Sequence, residues 1–401
     1  MKKILVLTTI YPSPDLKVTN NTDVVHYFTS EWVKKGVEVV VIHNYPIYLK
    51  VFHLIARFFQ HSLASKFNTL VTTQYSNKPT NILLDGVKVF RLPLFKPFPR
   101  CKMLQKTMLQ QVDKISNLLN KMNFYPDIIV AHNFYPHIQM VNLLKSRYYL
   151  KCKTAIVVHK QNLRMLDYIP NLKDELKSIE LWGYRSLPIK KEFELRVGKN
   201  ERFFMCYSGI PEDFLRDSVT RDFSKPLSSF VYVGSLIKRK YPNKIIDALS
   251  HLNYPFCMEY VGDGVLMKKL KEKATSYGLE NCILFHGRLS RSQIPKIIER
   301  ADCFIMISKD ETFGLVYLEA MSSGCITIAS RNEGMQGIIE DGINGFLCEA
   351  GNDEELYAII NRINALSSEE KKAISDNAIQ TAKRFTDTTV ADSYLNSLYS
   401  L

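Results

Sequence analysis

No stretch of about 18 or more uncharged apolar residues occurs in this sequence, so no segment is predicted to span a lipid bilayer. The opening stretch MKKILVLTTIYPSPD has a short apolar run that ends in Tyr-Pro-Ser-Pro without a small-residue cleavage site. This pattern favours a buried first strand over a signal peptide. We therefore expect a cytoplasmic chain.

Metal-binding motifs are also absent. The eight cysteines are scattered singly with no C-x-x-C pair, and neither D-x-D nor H-E-x-x-H occurs. The pattern predicts the reduced thiols of a cytosolic protein and no metal site. Any catalysis is expected to proceed without a metal or another cofactor.

Acidic residues are scarce in the first half of the chain. Residues 1–200 carry 30 Lys and Arg against 13 Asp and Glu, whereas residues 201–401 carry 23 against 27. The halves thus have net charges of +17 and −4. Such asymmetry indicates an anionic partner for the first half, either nucleic acid or lipid headgroups. Nucleic acid is disfavoured because no nucleic-acid-binding motif accompanies the charge.

Short Val/Ile-rich runs alternate with amphipathic stretches along the whole chain. These runs are KILVLTT, VEVVVIHNY, KVFRLP, DIIVAHN and TAIVVHK in the first half, and SSFVYVGS, FCMEYVGDG, CILFHGR, CFIMIS, CITIAS and GFLCEAG in the second. The alternation predicts an α/β chain with two parallel-sheet, Rossmann-like domains, which its length also favours. A linker is expected between about 210 and 228. Ligands are expected in a cleft between the domains, beyond the carboxyl ends of the strands.

Two glutamates flank a Phe-Gly step in SKDETFGLVYLEAMSSG, residues 308–324. The pattern puts Glu311 in a loop after a strand and Glu319 in the following helix. Two carboxylates at that spacing can accept hydroxyl groups from both ends of a nucleotide sugar. The backbone N–H groups at the helix start are available for its diphosphate: Phe313, Gly314 and Leu315. The alternative is an ordinary solvated face with acidic residues near a helix start.

The second half resembles the retaining glycosyltransferases of family 4, which have the GT-B fold. The resemblance runs in order through VYVGSLIKRK (231–240), EYVGDGVLMKKL (259–270), CILFHGRLSRSQIPKIIERADCFIMIS (282–308), the E-x7-E segment and EGMQGIIEDGINGFL (333–347). It implies an acceptor domain over residues 1–210, a donor domain over 211–380 and a C-terminal helix, 381–401, that packs back on the first domain.

The resemblance also implies roles for individual residues. Glu311 matches the glutamate near the donor sugar, Glu319 the one that holds the ribose, and Lys240 the lysine that neutralises the leaving diphosphate. The other donor contacts that it implies are Gly234, Ser235, Arg288, Leu289, Phe313, Gly314 and Leu315. Ser235 stands where the family has an arginine, so Lys238 or Arg239 is expected to compensate.

Further implied positions lie in the first half. His132 matches a catalytic histidine beside the reacting centre, although a lone histidine at a strand end can equally be a packing residue. The phosphate-side loop of the family corresponds here to Asn20, Asn21 and Thr22.

A basic amphipathic segment, YLKVFHLIARFFQHSLASKF (48–67), bears on the acceptor. Its helical pattern predicts a polar stripe of Lys50, His53, Arg57, Gln60 and His61 opposite an apolar stripe. Such a helix can lie in an anionic membrane surface, or it can pack on its own sheet.

Together with the positive charge of residues 1–200, the resemblance implies a bacterial capsular or exopolysaccharide glycosyltransferase at the inner face of the cell membrane. It is expected to transfer a sugar from a UDP-sugar to a lipid-linked or glycan acceptor. Two alternatives stay open: a GT-B epimerase or hydrolase that acts on a nucleotide sugar, and a non-catalytic scaffold of polysaccharide assembly.

Overall fold

A computed structural model describes residues 2–13, 22–67, 71–73, 75–99, 101–216 and 221–401. The chain forms two compact units. Unit 1 comprises Met1–Arg185, Ile189–Cys206 and Val390–Leu401, and unit 2 comprises Ser186–Pro188 and Tyr207–Thr389. Domain boundaries are predicted after residues 210 and 380, whereas the chain passes between the units after residues 206 and 389 and, briefly, at Ser186–Pro188.

Unit 1 is built on a sheet of eight strands. The strands are β1 Lys3–Thr8, β2 Glu38–Ile47, β3 Thr80–Leu84, β4 Val87–Phe95, β5 Ile128–His132, β6 Lys153–Val158, β7 Leu181–Tyr184 and β8 Phe203–Met205. Their order is β3-β4-β2-β1-β5-β6-β7-β8, and only the β3–β4 pair is antiparallel. The helices of this part of the chain are α1 Val24–Lys34, α2 Lys50–Phe67, α3 Gln105–Lys121, α4 Phe134–Arg147, α5 Leu172–Lys177 and α6 Leu187–Val197.

Unit 2 is built on a fully parallel sheet of six strands. The strands are β9 Ser229–Val233, β10 Cys257–Val261, β11 Ile283–Gly287, β12 Cys303–Met306, β13 Ile326–Ser330 and β14 Phe346–Cys348, in the order β11-β10-β9-β12-β13-β14. The helices are α7 Pro242–Leu249, α8 Met267–Ser276, α9 Ile294–Glu299, α10 Leu315–Ser322, α11 Asp353–Asn364 and α12 Ser368–Lys383. The last helix of the chain, α13 Asp387–Tyr399, ends in unit 1.

The central strands of both sheets are covered on both faces. Successive residues of β1, β5, β12 and β13 are buried, which is the pattern of a parallel strand between two helical layers. Each unit has its own apolar core. The prediction of an α/β chain with two parallel-sheet domains is confirmed.

The C-terminal helix α13 packs within unit 1. The Nε1 of Trp32 donates to the backbone oxygen of Ala391 at 3.0 Å, and the Tyr394 ring stacks on Phe204 with centroids 4.7 Å apart. Tyr394 is 1% exposed, so it contributes a full aromatic side chain to this core.

The predicted polar stripe of α2 is confirmed for Lys50 and Arg57, which are exposed, and wrong for His53 and Gln60. His53 is buried because its ring bonds the Tyr48 N–H at 3.1 Å and the Thr72 carbonyl at 3.0 Å. Gln60 is also turned inward, where it donates to the Val71 carbonyl at 2.8 Å. The side chain of His61 lies outside the described residues. The large apolar side chains exposed on this segment are Leu49, Val51, Leu54, Ile55, Phe58 and Phe59.

Candidate functional site

Lys240 and Glu311 form an ion pair in unit 2. The Nζ of Lys240 donates to Oε2 of Glu311, and only 11% and 14% of the two side chains are exposed. Lys240 ends a short 3-10 helix after β9, and Glu311 lies between β12 and α10. Because β9 and β12 are parallel neighbours, the loops at their carboxyl ends meet at one edge of the sheet.

The loop that carries Glu311 is held by its surroundings. The Glu311 N–H donates to Oε2 of Glu333 at 2.8 Å, and the Ser308 hydroxyl lies 3.4 Å from Oε2 of Glu311. Asp310 in this loop has a positive φ of 57°. The Arg239 guanidinium is 3.3 Å from the Lys309 carbonyl and 4.0 Å from Oε2 of Glu311. The Glu311 carboxylate therefore faces two cations.

Helix α10 begins directly after a left-handed glycine. Gly314 has φ 90°, and a Cβ built there would lie 2.5 Å from the Tyr317 ring. The Tyr317 hydroxyl donates to the Met306 carbonyl at 2.7 Å, which fixes the helix start against the end of β12. The first N–H groups of a helix have no intrahelical acceptor, so this end can bind an anion.

Glu319 is buried in α10, with 8% of the residue exposed. Burial raises the pKa of its carboxyl group, and the positive charge of Arg291 opposes that rise. An Arg291 nitrogen lies 3.8 Å from Oε1 of Glu319, and the same guanidinium lies over the Phe214 ring at 5.7 Å. The Glu319 carboxylate thus has one cation nearby and can accept hydrogen bonds from hydroxyl groups.

The loops after β9 and β10 approach each other closely. A Cβ on Gly262, which has φ 138°, would lie 1.9 Å from the Gly234 carbonyl oxygen. Ser235 is exposed, and its backbone oxygen accepts a hydrogen bond from the Tyr232 hydroxyl at 2.9 Å. Ser235 is therefore positioned by its backbone, and its side chain is open to solvent.

The other predicted donor residues in unit 2 have different surroundings. Arg288 follows β11 and is exposed, whereas Leu289 is partly buried against the unit 2 core. Phe313 is buried, and its ring lies 5.6 Å from the Tyr207 ring. Leu315 is the first residue of α10 and is half-buried.

His132 lies at the end of β5 in unit 1 and is 1% exposed. Its Nε2 is 3.1 Å from the Tyr394 hydroxyl, and its Nδ1 is 3.3 Å from Nε2 of His159. Burial, followed by repulsion from the protonated forms of His159 and His137 and from the Arg185 guanidinium, holds the pKa of His132 well below its ordinary value. The catalytic role that the resemblance implies for this ring stays a prediction, and both of its nitrogens have protein partners here.

The predicted phosphate-side loop falls largely outside the described residues. Asn20 and Asn21 lie outside them. Thr22 is exposed, and its hydroxyl oxygen accepts from the Val24 N–H at 3.5 Å. Its role as a phosphate contact stays a prediction.

The structure joins Lys240 to Glu311, and it adds two residues that the sequence analysis missed. Glu333 accepts the Glu311 N–H, and Arg291 faces Glu319. Both stand inside quoted motif segments, and each is a charged residue in a loop after a strand. Their position after a strand could have identified them as candidate site residues, because loop residues at strand ends carry function more often than core residues do.

The described part of the chain contains neither a cluster of metal ligands nor a membrane span. No group of three or more His, Cys, Asp and Glu side chains there is arranged to hold a metal ion. Within the same residues, no helix combines the length and the apolar character needed to cross a bilayer.

The sequence is similar to those of glycosyltransferases. Residues 220–381 match the family model described as Glycosyl transferases group 1. The chain is 24% identical over 268 residues to the "Uncharacterized glycosyltransferase MJ1178" of Methanocaldococcus jannaschii, a match that covers 65% of this chain and 71% of the relative. It is 24% identical to the N-acetyl-alpha-D-glucosaminyl L-malate synthase of Bacillus anthracis, with 68% and 71% covered. It is 26% identical to the amylovoran biosynthesis glycosyltransferase AmsK of Erwinia amylovora, with 61% and 63% covered.

Solved structures give the fold. HepE of Anabaena in complex with UDP superimposes with a TM-score of 0.69 at 20% identity, and 100% of both chains is covered. Sucrose-phosphate synthase of Thermosynechococcus elongatus superimposes with a TM-score of 0.70 at 16% identity, with 100% of this chain and 98% of the other covered. The predicted GT-B fold is confirmed.

Proposed function

We propose that this glycosyltransferase, whose residues 220–381 match the group 1 family model, builds surface polysaccharide. It moves a sugar from a nucleoside diphosphate sugar to a lipid-linked or glycan acceptor. The observation that carries this proposal is the ion pair between Lys240, which follows β9, and Glu311, in the loop that leads into α10. A cation, a carboxylate and a helix N-terminus in one place suit a ligand that has a diphosphate and a sugar.

UDP is the proposed nucleotide. Solved structures of Anabaena HepE hold UDP or UDP-glucose, and HepE matches this chain over its full length. AmsK is named for the biosynthesis of amylovoran, which supports a polymer product.

Lys240 is proposed to stabilise the leaving diphosphate. Its ammonium group is held in place by Glu311 before any ligand arrives. On binding, phosphate oxygens replace the carboxylate as partners of Nζ, and the N-terminus of α10 adds partial positive charge. The released Glu311 carboxylate then accepts hydroxyl groups of the donor sugar. Positive charge supplied in this way makes a metal ion unnecessary, so the proposed reaction is metal-independent.

Glu319 is proposed to bind the ribose. Its buried carboxylate has Arg291 on one side, and ribose hydroxyl groups can donate to the remaining lone pairs. As the family resemblance implies, the transfer retains the anomeric configuration, and neither glutamate is assigned as a nucleophile.

The acceptor is proposed to be reached at the inner face of the cell membrane. Helix α2 exposes Leu54, Ile55, Phe58 and Phe59, and the exposed Lys50 and Arg57 lie on the same helix. Apolar side chains flanked by basic ones suit insertion into the headgroup region of an anionic bilayer.

Product analysis tests the proposal. The full chain is incubated with each of a panel of UDP-sugars, with and without a polyprenyl-diphosphate-linked saccharide, and in the presence or absence of a chelator. We expect UDP release that requires the acceptor and survives chelation.

Three outcomes would contradict this expectation. Conversion or hydrolysis of the UDP-sugar to the same extent without acceptor would favour the epimerase or hydrolase alternative. Failure of UDP to bind in calorimetry would favour the scaffold. Activity that is lost in chelator and restored by magnesium would refute metal independence.

A further inference from the structure

We propose that Cys257 and Cys282 in unit 2 form a redox modification site, in which a small-molecule disulfide converts two neighbouring thiols reversibly into a bridge. This inference does not rest on the proposed function, because neither cysteine belongs to the candidate site. All eight cysteines of the chain are free thiols. Five of them are buried, whereas Cys101, Cys257 and Cys282 are partly exposed. Of these three, Cys257 and Cys282 lie side by side.

The two cysteines stand at the same level of neighbouring strands. Cys257 is the first residue of β10, and Cys282 directly precedes β11. The strands are parallel and pair Met258 with Ile283, and the Met258 N–H donates to the Cys282 carbonyl at 2.8 Å. One step back along both strands, Cys257 therefore lies beside Cys282. Because neighbouring strands are about 4.7–4.9 Å apart, their Cα atoms are about 5 Å apart, within the roughly 4.4–6.8 Å that a disulfide spans.

The Cys257 thiol lies among charged groups. Side chains alternate between the faces of a strand, so Cys257 shares a face with Glu259, to which the Arg300 guanidinium donates two hydrogen bonds. Burial and the charge of Glu259 raise the pKa of Cys257, and Arg300 opposes that rise. A thiolate at Cys282 raises this pKa as well, so the two thiols lie within electrostatic reach of each other.

The pair is accessible to small molecules. Strand β11 is an edge of the six-stranded sheet, and Leu284 on it is 45% exposed. Cys303 and Cys325 are the opposite case, because both are 0% exposed and the Cys325 thiol donates to two backbone carbonyls at 3.1 Å. Oxidation of a thiol requires access to it. An oxidant should therefore reach Cys257 and Cys282 first.

Two thiol–disulfide exchanges form the bridge, with a small disulfide, RSSR, as the oxidant. The Cys282 thiolate attacks one sulfur of RSSR, which forms a mixed disulfide and releases RS⁻. The Cys257 thiolate then attacks the Cys282 sulfur, closes the bridge and releases the second RS⁻. The two thiol protons end on the two RSH molecules, so two protein thiols are oxidised and RSSR is reduced. Cys257 is assigned to the second step because its raised pKa matters less in an intramolecular attack.

Oxidation of the folded full chain with glutathione disulfide tests the inference. Trypsin leaves the two cysteines in separate peptides, 245–268 and 274–288, neither of which contains another cysteine. We expect mass spectrometry without reduction to find these peptides linked as the main disulfide, and dithiothreitol to separate them. The bridge closes a loop of about 25 residues, so oxidation should raise the melting temperature by about 5 °C and reduction should reverse the rise.

Serine variants provide the controls. Cys257→Ser and Cys282→Ser should each abolish the linked peptides and the thermal shift, and in Cys257→Ser glutathione should accumulate on Cys282. Cys101→Ser replaces a partly exposed cysteine of unit 1 and should behave as the unsubstituted chain does. The melting temperatures of the reduced variants check that they fold, and UDP affinity, measured by calorimetry, should be the same in both redox states.

Three results would overturn the modification site. These are glutathione on both cysteines without a link between them, no modification of either cysteine, and the same mixture of linked peptides from the folded chain as from a chain oxidised in urea. A chain that forms the bridge but does not bind UDP would support the site and contradict the proposed function. UDP binding without the bridge would do the reverse.

Discussion

Glu311 is the residue on which the candidate site depends most. Its carboxylate holds Lys240, and its backbone N–H is held by Glu333. Removing one partner of a largely buried ion pair leaves the other charge without compensation, so substitutions here have consequences beyond the side chain that is changed.

Substitution of Glu311 and substitution of Glu319 should affect UDP affinity and turnover differently. Glu319→Ala is expected to weaken UDP binding by about tenfold, because hydrogen bonds to a charged group contribute about 1.5–3 kcal/mol. Glu311→Ala should keep UDP affinity within about threefold, since it frees Lys240 for phosphate, but it should lower turnover. Calorimetry with UDP and steady-state kinetics measure both, with the exposed Glu340→Ala as control. An equal loss of UDP affinity in both variants would contradict the assignment.

Glu333 should act as a positioning residue. Glu333→Ala removes the acceptor of the Glu311 N–H, so we expect turnover to fall by about tenfold as the loop loosens, while UDP affinity changes little. Glu333→Gln keeps a side-chain oxygen that can accept, and it should recover most of the lost turnover. Comparison of kcat and KM in the two variants checks this. Equal damage in both would show that the negative charge of Glu333, and not its acceptor oxygen, is what matters.

His137 should make unit 1 sensitive to mild acid. Its Nδ1–H faces the carbonyls of His132 and Asn133 at 2.9 Å, and its Nε2 accepts from the Asn44 amide at 3.0 Å. Burial lowers its pKa from 6.5 to about 4. The unfolded chain therefore binds the proton first, and stability falls as pH drops from 6.5 toward 4. Between about pH 7.5 and about pH 5 the loss from this ring is about 2 kcal/mol.

Urea unfolding followed by tryptophan fluorescence measures that loss. Trp32 and Trp182 are the two tryptophans of the chain, and both lie in unit 1. In His137→Gln, which cannot titrate, the difference between the two pH values should shrink by about 2 kcal/mol. An unchanged difference would assign the acid sensitivity to other groups.

Individual residues of the site could be predicted from the sequence only in part. Lys240 and Glu311 could be named because each stands in a motif with a recognisable spacing. Glu333 could not be given its contact with Glu311, because the two residues are 22 positions apart and meet only when the loops after β12 and β13 converge.

Among the helices, α2 shows that a helical sequence pattern does not determine which face is buried. Its sequence offers a polar and an apolar stripe, and hydrophobicity alone would bury the apolar one. His53 is buried instead, because a backbone N–H and a carbonyl from outside the helix pair with both ring nitrogens. Phe58 and Phe59 are left 79% and 59% exposed.

This exposed apolar face should bind anionic vesicles. Each basic residue near the surface contributes about 1 kcal/mol, and salt screens that contribution. Lys50→Glu with Arg57→Glu should therefore release the chain from phosphatidylglycerol vesicles by at least about tenfold. Leu54→Ser with Phe58→Ser should do the same without lowering the melting temperature, since both side chains are exposed.

Vesicle co-sedimentation at rising salt makes the measurement, and UDP affinity should be unchanged in all variants. Val265→Ser serves as the control, because Val265 is an exposed apolar residue of unit 2. If the unsubstituted chain does not sediment with vesicles, or if its vesicle binding changes with neither salt nor charge reversal, a soluble acceptor becomes the better proposal.

At the scale of the whole molecule, the Val/Ile-rich runs located the strands that form both sheet centres. The sequence analysis missed β3, β7 and β8. Strand β3 is an exposed antiparallel edge strand whose apolar run is only three residues long, and β7 and β8 have four and three residues. Short or exposed strands bury too little apolar surface to produce a clear pattern, so only the folded sheet defines them.

Tyr394 should be a stability determinant of unit 1 alone. Tyr394→Ala removes a fully buried ring and its contact with His132, so unit 1 should lose about 3–5 kcal/mol. Tryptophan-detected urea unfolding reports this loss, while UDP calorimetry reports that unit 2 is unchanged. Tyr399→Ala, on the same helix but 37% exposed, is the matched control. Parallel loss of UDP binding in Tyr394→Ala would mean that the two units do not respond independently.

The return of residues 390–401 to unit 1 has a consequence for synthesis on the ribosome. Unit 2 is almost one continuous segment, Tyr207–Thr389, and all of it is translated before Tyr394 emerges. At about 5–20 residues per second this interval lasts roughly 10–40 s. During this interval the Trp32 indole has no Ala391 carbonyl to bond, and the Phe204 ring is not yet stacked against Tyr394. We therefore expect the nascent first unit to expose this apolar surface until helix α13 has been synthesised.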